Sequence, residues 1–437
     1  MMNGEPPRAP RWMAEAGSAV RRAALPGLKA AARREMSPVL HLRRSQESAA
    51  RLGRTATSPG ARLPEGFAVL RVQRSRTSDG RDGYRLHGWC GPLKVACAPG
   101  PTRLIAPGVS LGNLRRGDGE FPSEVLRAVL HWSDNQPALA HWVNRARARY
   151  GADLRLIIWD DTGYELPWEL FRLPNEPEIG LPGGLLGALV AVARWTTVYD
   201  VDHDLPRETG AFQGGVLAYL HRDMEHDHSA LKPYVPRPHK ELTPFLRDLD
   251  VSGDRTALVY MGCHGEYGHT VTRLLLGGRT WAEFNGEKMH LLRRDHSLVC
   301  LNACHSGRFV DNGAQGEEAL RGFAELFLRK GAGGCIVTAG AIGDPEARAM
   351  VHRLVREVTT RSGQPLTEKL RAFRAEAVEE FGGLAVIPSV RNDDGQVDAV
   401  GQKRVLRLLY AFMFHYYGHP LTTLRLAGHD EGRSIGG

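Results

Sequence analysis

The 437-residue chain reads as α/β, a mainly parallel sheet covered by helices, and three observations predict it. From Ala152 onward, short apolar runs alternate with segments of helical spacing. Several runs are apolar throughout rather than at every second residue, as in a strand buried on both faces. Clusters of Gly, Pro and Asp separate the runs, as connections between packed elements do.

Residues 1–62 come first and differ from the rest. They hold 12 of the 57 basic and 4 of the 49 acidic side chains, so this stretch alone accounts for the formal charge of +8. The remainder carries equal numbers of each sign. Pro, Ser, Arg and Ala dominate, with little apolar periodicity, which predicts a flexible basic arm with at most one helix over 14–34. The acid-poor composition superficially suggests a transit peptide, but the arm is the preferred reading. No basic groove is expected on the folded body, so a nucleic acid would meet only the arm.

Between 66 and 110, β-like runs at 67–70, 84–89 and 94–96 are divided by Gly, Pro and Asp. Residues 124–131 and 137–150 then show helical spacing, the second with Leu139, Trp142 and Val143 opposite basic residues. Residues 63–150 are therefore expected to form a small β-rich and helical unit ahead of a main domain at 151–426, with a tail at 427–437. Within the main domain, strands are expected at 154–159, 190–198, 215–220, 257–262, 298–303, 334–339 and 408–416. Helices are expected at 240–249, 317–329 and 345–359, and a loop at 382–402. No internal repeat is present.

Cys90, Cys97, Cys263, Cys300, Cys304 and Cys335 are too few and too scattered for a secreted disulfide framework, so a reducing cytoplasm is expected. No apolar run approaches the roughly 20 residues of a membrane helix.

Two strings carry the chemistry: Gly262-Cys263-His264-Gly265 and Ala303-Cys304-His305-Ser306-Gly307, each at the end of a strand-like run. A free thiol of pKa near 8.5 is only a few per cent thiolate at neutral pH, so a nucleophilic cysteine needs an imidazole to take its proton. Cys304 and His264 offer that pair. If their strands are parallel neighbours, the ends lie about 5 Å apart, and residues 270–296 suffice for the crossover. Gly265 leaves a bare N–H that, with the N–H of Cys304, would form an oxyanion hole, each donor worth roughly 3–4 kcal/mol. No Asp or Asn is placed as an orienting third member. Cys263, Cys300 and Cys335 lie in or beside apolar runs and read as inert core.

Metal binding is the competing use of Cys263, His264, His269, Cys300, Cys304 and His305. Structural zinc favours cysteine pairs two to four residues apart in a loop, whereas Cys300 and Cys304 would span about 13 Å of extended strand. His221, His226, His228 and His239 read as a solvated loop. Neither a metal nor a cofactor is expected.

These residues resemble the CHAT family of caspase-like peptidases, relatives of separase and caspases. Leu166-Pro167-Trp168-Glu169-Leu170 is similar to the motif that opens such domains, where the aromatic plugs the core. Gly331 to Val337 with Asp344, and Ala411 to Pro420, resemble later strands. The resemblance spans about 152–425. The sequence departs from the family at His305 and Ser306, in the loop at 382–402 and in the His-rich segment 221–239. No tetratricopeptide repeats precede the domain. The resemblance implies a caspase-like fold and a cysteine endopeptidase with His264 as base and Cys304 as nucleophile. It also implies a protein substrate, control by a partner or signal, and a place in a bacterial defence or cell-death system, with the β-rich stretch at 66–110 as the receiving element.

Relatives of this kind cleave after one preferred charged residue. Asp344 and Glu346 are the candidates for a pocket that would take Arg or Lys, although Asp344 as a helix cap is the plainer alternative. His221 and Arg222 are further candidates on the substrate side; cleavage after Asp would instead implicate Arg222 or Arg308. A catalytically silent adaptor with the same fold is the alternative function.

Overall fold

Strand formation follows the apolar runs. The computed structural model describes residues 64–428 apart from 78, 98–108, 115–120, 199–210, 236, 252, 312–319 and 361–362. The expected arm at 1–62 lies outside the described residues, as does all but the start of the expected tail. Among the described residues, eleven strands join one sheet: β1 (Phe67–Arg76), β2 (Asp82–Cys90), β3 (Leu93–Cys97), β4 (Arg155–Asp160), β5 (Ala191–Trp195), β6 (Ala211–Leu220), β7 (Thr256–Gly262), β8 (Leu298–Asn302), β9 (Gly334–Thr338), β10 (Phe414–Gly418) and β11 (Thr423–Leu426). Their order is β11-β6-β7-β8-β9-β10-β5-β4-β1-β2-β3.

The sheet contains two parallel blocks. Strands β11, β6, β7, β8 and β9 run one way. Strand β10 is antiparallel to β9, and β5, β4 and β1 follow β10. Antiparallel β2 and β3 finish the far edge.

Helices α1 (Pro122–Asp134), α2 (Pro137–Tyr150), α3 (Leu242–Val251), α4 (Phe323–Arg329), α5 (Asp344–Thr360), α6 (Leu366–Phe381) and α7 (Ala399–Phe412) flank the sheet. Strand alternation divides the interior in two. Leu258, Tyr260, Leu298, Cys300 and Ile336 join a cluster with residues of α1, α2, α5, α6 and α7. Val259, Met261, Val299, Leu301, Cys335 and Val337 join another with residues of α3 and α4. Successive side chains of a strand face opposite sides, so β7, β8 and β9 are buried on both and their sequences are apolar throughout.

Four readings of the sequence are changed. The stretch expected as a separate unit at 63–150 shares the main sheet: β1 pairs in parallel with β4 from Phe67↔Arg155 to Val72↔Asp160. The expected strand at 408–416 is helical as far as Phe412, with β10 beginning only at Phe414. The run Leu408 to Phe414 is apolar without a break, and periodicity alone does not separate a buried helix end from a strand. Helix α6 was not anticipated because Glu368, Lys369 and Arg374 are buried on its inner side, where a sequence pattern looks for apolar residues. In addition, α4 starts at Phe323, because Leu320 and Arg321 pair with Val310 and Asp311.

Candidate active site

Because β6, β7, β8 and β9 are parallel neighbours, the loops at their carboxyl ends meet on one rim. Leu220 of β6 and Asn302 of β8 both pair with Gly262 of β7. His264 and Cys304 therefore each stand two residues beyond a paired position on adjacent strands, which lie about 4.8 Å apart.

Backbone contact ties the two together. The glycine at 265 is required because a Cβ there would collide with the Cys304 carbonyl. The Gly277 N–H donates to the His264 carbonyl at 2.8 Å, and Gly265 pairs antiparallel with Leu276. That bond flanks a non-hydrogen-bonded pair, so the Gly265 N–H is directed away from Leu276.

The turn after Cys304 is held against β9. The His305 N–H donates to the Gly340 carbonyl at 3.0 Å, and Gly307 N–H to the Thr338 carbonyl at 2.8 Å. The Thr338 N–H donates to Ser306 Oγ at 3.0 Å. His305 sits at φ 60°, a left-handed conformation that costs a non-glycine residue about 1 kcal/mol or more. These bonds keep Cys304 half-buried at the rim, its Sγ 3.9 Å from the Ile342 carbonyl oxygen.

The turn after β6 supplies a residue that the sequence reading lacked. Asp223 accepts a hydrogen bond from His264 Nε2 at 2.9 Å. That bond, ahead of the influence of His221 and Arg222, lowers the Asp223 carboxyl below the usual carboxylate range. His221 Nδ1 lies 3.3 Å from the same carboxylate, and the His221 and His264 rings are 4.8 Å apart. Four residues beyond Asp223, buried Asp227 accepts from Tyr260 Oη at 2.5 Å and Asn302 Nδ2 at 2.9 Å, fastening this turn to β7 and β8. The signal was present: Asp223 lies three residues past the end of an expected strand.

The remaining cysteines on these strands are buried. Burial pushes the Cys263 thiol up to about 12 and raises those of Cys300 and Cys335 further, so none is a thiolate near neutrality.

Other expected substrate-side residues fare differently. Glu346 faces Arg407 at 3.9 Å and lines a groove between α5, α6 and α7 with Arg353, Phe373 and Tyr410, and neither His264 nor Cys304 lines it. Asp344 opens α5. Arg222 is exposed beside Asp223. Arg308 is committed: its Nε lies 2.5 Å from Glu165 Oε1, and its guanidinium stacks 3.5 Å over the Tyr267 ring. Residues 109–114 reach the same place. Ser110 Oγ donates to Glu165 Oε2 at 2.7 Å, Gly112 abuts the Arg308 guanidinium, and the Leu111 carbonyl rests against Gly340.

Trp168 is fully buried and donates from Nε1 to Asp160 Oδ2 at 2.8 Å, with Trp132 packed on it at 5.1 Å. It plugs the core, and the neighbouring Glu169 forms a buried ion pair with Arg194.

Residues 237–380 match the CHAT domain family. The matched segment contains β7, β8 and β9 and therefore both strand ends that carry His264 and Cys304. No curated protein matches the chain. Among solved structures, it is similar to a Saccharomyces cerevisiae separase–securin complex, with 11% identity and a TM-score of 0.36 over 66% of this chain and 17% of that one. It is also similar to the complex of Porphyromonas gingivalis RgpB pro- and mature domains, with 12% identity and a TM-score of 0.41 over 67% of this chain and 70% of that one. The matched segment lies on a mixed α/β, mainly parallel sheet flanked by helices. No described helix is long and apolar enough to cross a membrane.

Proposed function

We propose that the chain is a cysteine endopeptidase that hydrolyses peptide bonds of a protein substrate through Cys304 and His264. The observation that supports it most is the register of β7 with β8, which brings an imidazole held by Asp223 and a half-buried thiol to neighbouring strand ends.

The chemistry follows from those positions. With Nε2–H donated to Asp223, the lone pair of His264 Nδ1 takes the Cys304 proton. The thiolate adds to the scissile carbonyl carbon, and the N–H groups of Gly265 and Cys304 hold the oxyanion. Collapse of the adduct breaks the C–N bond, and the imidazolium gives its proton to the leaving amine. Water, deprotonated by the same ring, then cleaves the thioester and restores the thiol.

Control by a protein partner or signal, and a role in bacterial defence or cell death, rest on the CHAT resemblance. Residues 109–114 support the first part, since this N-terminal segment contacts Arg308 and Gly340, on loops flanking Cys304. Of the charged candidates for the pocket at the cleaved position, Glu346 is turned to Arg407 and Arg308 is held by Glu165.

The test is cleavage of a protein or peptide library by the full chain beside its Cys304→Ala and His264→Ala variants. Cys304→Ala should abolish turnover, and His264→Ala should lower it by about 10²–10⁴-fold. Wild-type turnover in Cys304→Ala would end the proposal. Partner binding unchanged in Cys304→Ala, with no cleavage by any form, would favour the silent adaptor.

A further inference from the structure

We propose that His221, Asp223 and His264 form a zinc site, and that zinc bound there switches the thiol chemistry off. The second half of this proposal rests on the peptidase reading, whereas the first stands on geometry alone.

The donor atoms come from two adjacent strand ends, and one ligand atom from each residue lies within 4.8 Å of the others. His264 Nε2 is 2.9 Å from Asp223 Oδ2, and His221 Nδ1 is 3.3 Å from that same oxygen. Zinc bonds of about 2.0–2.2 Å place tetrahedral donors roughly 3.3–3.6 Å apart, so the three atoms need only small side-chain rotations to enclose an ion. Rotation is open to them because His264 and Asp223 are more than half exposed and His221 is partly so. The anchor beneath is firm: Asp227 binds the turn to Tyr260 and Asn302.

Ligand chemistry selects the metal. Two imidazoles and one carboxylate suit a borderline ion such as zinc better than calcium or magnesium, which prefer oxygen ligands. His221 Nδ1 accepts the Asp223 N–H at 3.4 Å, so its lone pair already faces this turn, and zinc would replace that long hydrogen bond. The fourth position is left to water.

Coupling to the thiol follows from proton bookkeeping on one ring. Neutral His264 carries its single N–H on Nε2, donated to Asp223, and keeps a lone pair on Nδ1. Zinc on Nε2 requires that lone pair there, so the proton moves to Nδ1 through solvent, with no net proton released. The nitrogen that would take the Cys304 proton is then already protonated. Metal and catalysis therefore exclude each other.

The experiment titrates zinc chloride into the metal-stripped full chain against a chromophoric chelator, in the Cys304→Ala background so that this thiol is no ligand. One equivalent should bind, and His221→Ala should weaken binding about tenfold or more, while His269→Ala should not. Absence of stoichiometric binding, or equal affinity in His221→Ala, would overturn the site. In the wild-type chain, zinc should suppress peptide cleavage reversibly, with the half-inhibitory concentration raised about tenfold or more by His221→Ala. Zinc-stimulated cleavage would overturn the switch. A chain that binds zinc yet never cleaves refutes the peptidase reading and leaves the metal site standing; one that cleaves without binding zinc refutes the site alone.

Discussion

Gly265 shows how much one missing side chain decides. Its Cα lies against the Cys304 carbonyl, so a methyl group at 265 would push apart the two loops that the site joins. Gly265→Ala is expected to lower peptide cleavage by about 10²-fold, the usual cost of displacing one oxyanion donor. Urea unfolding should shift far less, since the collision is confined to the rim. Equal activity in Gly265→Ala, measured by the same peptide assay, would remove this residue from the site. The glycine was legible in the sequence as a source of a bare N–H after His264, but a second reason for it was not. The Cys304 carbonyl occupies the space that a Cβ at 265 would take.

At the scale of elements, the turn after β6 matters most. A 3-10 helix from Arg222 to Asp227 carries Asp223 toward His264 and is fastened at its far end by Asp227. Replacing Asp227 with Ala leaves Tyr260 Oη and Asn302 Nδ2 without this acceptor in a buried place. Each such loss costs about 1–3 kcal/mol. Asp227→Ala should therefore lower the urea midpoint and reduce cleavage together, because Asp223 loses its footing. A variant with lowered stability and full turnover at low temperature would show that the anchor serves the core alone. This turn was read from the sequence as a solvated loop rich in histidine. Its anchor could not be foreseen, since Asp227, Tyr260 and Asn302 come from three separate stretches of chain.

At the scale of the whole molecule, one buried charge cluster ties the second parallel block of the sheet to helix α6. Glu169, from the turn after β4, meets Arg194 of β5, Arg374 of α6 at 3.9 Å and His415 of β10 at 3.5 Å. Burial alone would raise the Glu169 carboxyl, but Arg194, His415 and Arg374 outweigh it and hold the group well below the usual carboxylate range. Burial, reinforced by Arg194, pushes His415 down to about 3. Both folded values lie below the unfolded ones, so both contributions to stability are present at neutral pH and are lost on acidification. The histidine contribution fades as pH falls from about 6.5 toward 3, and the glutamate contribution below about 4.5. Urea unfolding should therefore give a midpoint that drops between pH 7 and pH 5, and His415→Gln should flatten that drop. An identical pH dependence in His415→Gln would contradict this account.

The sequence by itself determined the apolar strands, the class of sheet and the two strand ends bearing His264 and Cys304, because burial on both faces leaves an unbroken apolar record and small residues mark the exits. Only the tertiary structure decided what each strand lies beside. It joined β1, β2 and β3 to the same sheet, brought Asp223 to His264, turned Glu346 toward Arg407 and placed charges on the inner side of α6. The physical reason is that local patterns report how much of a residue is covered, whereas a partner 40 or 200 residues away is selected by the pairing of strands and by the packing of helices over them.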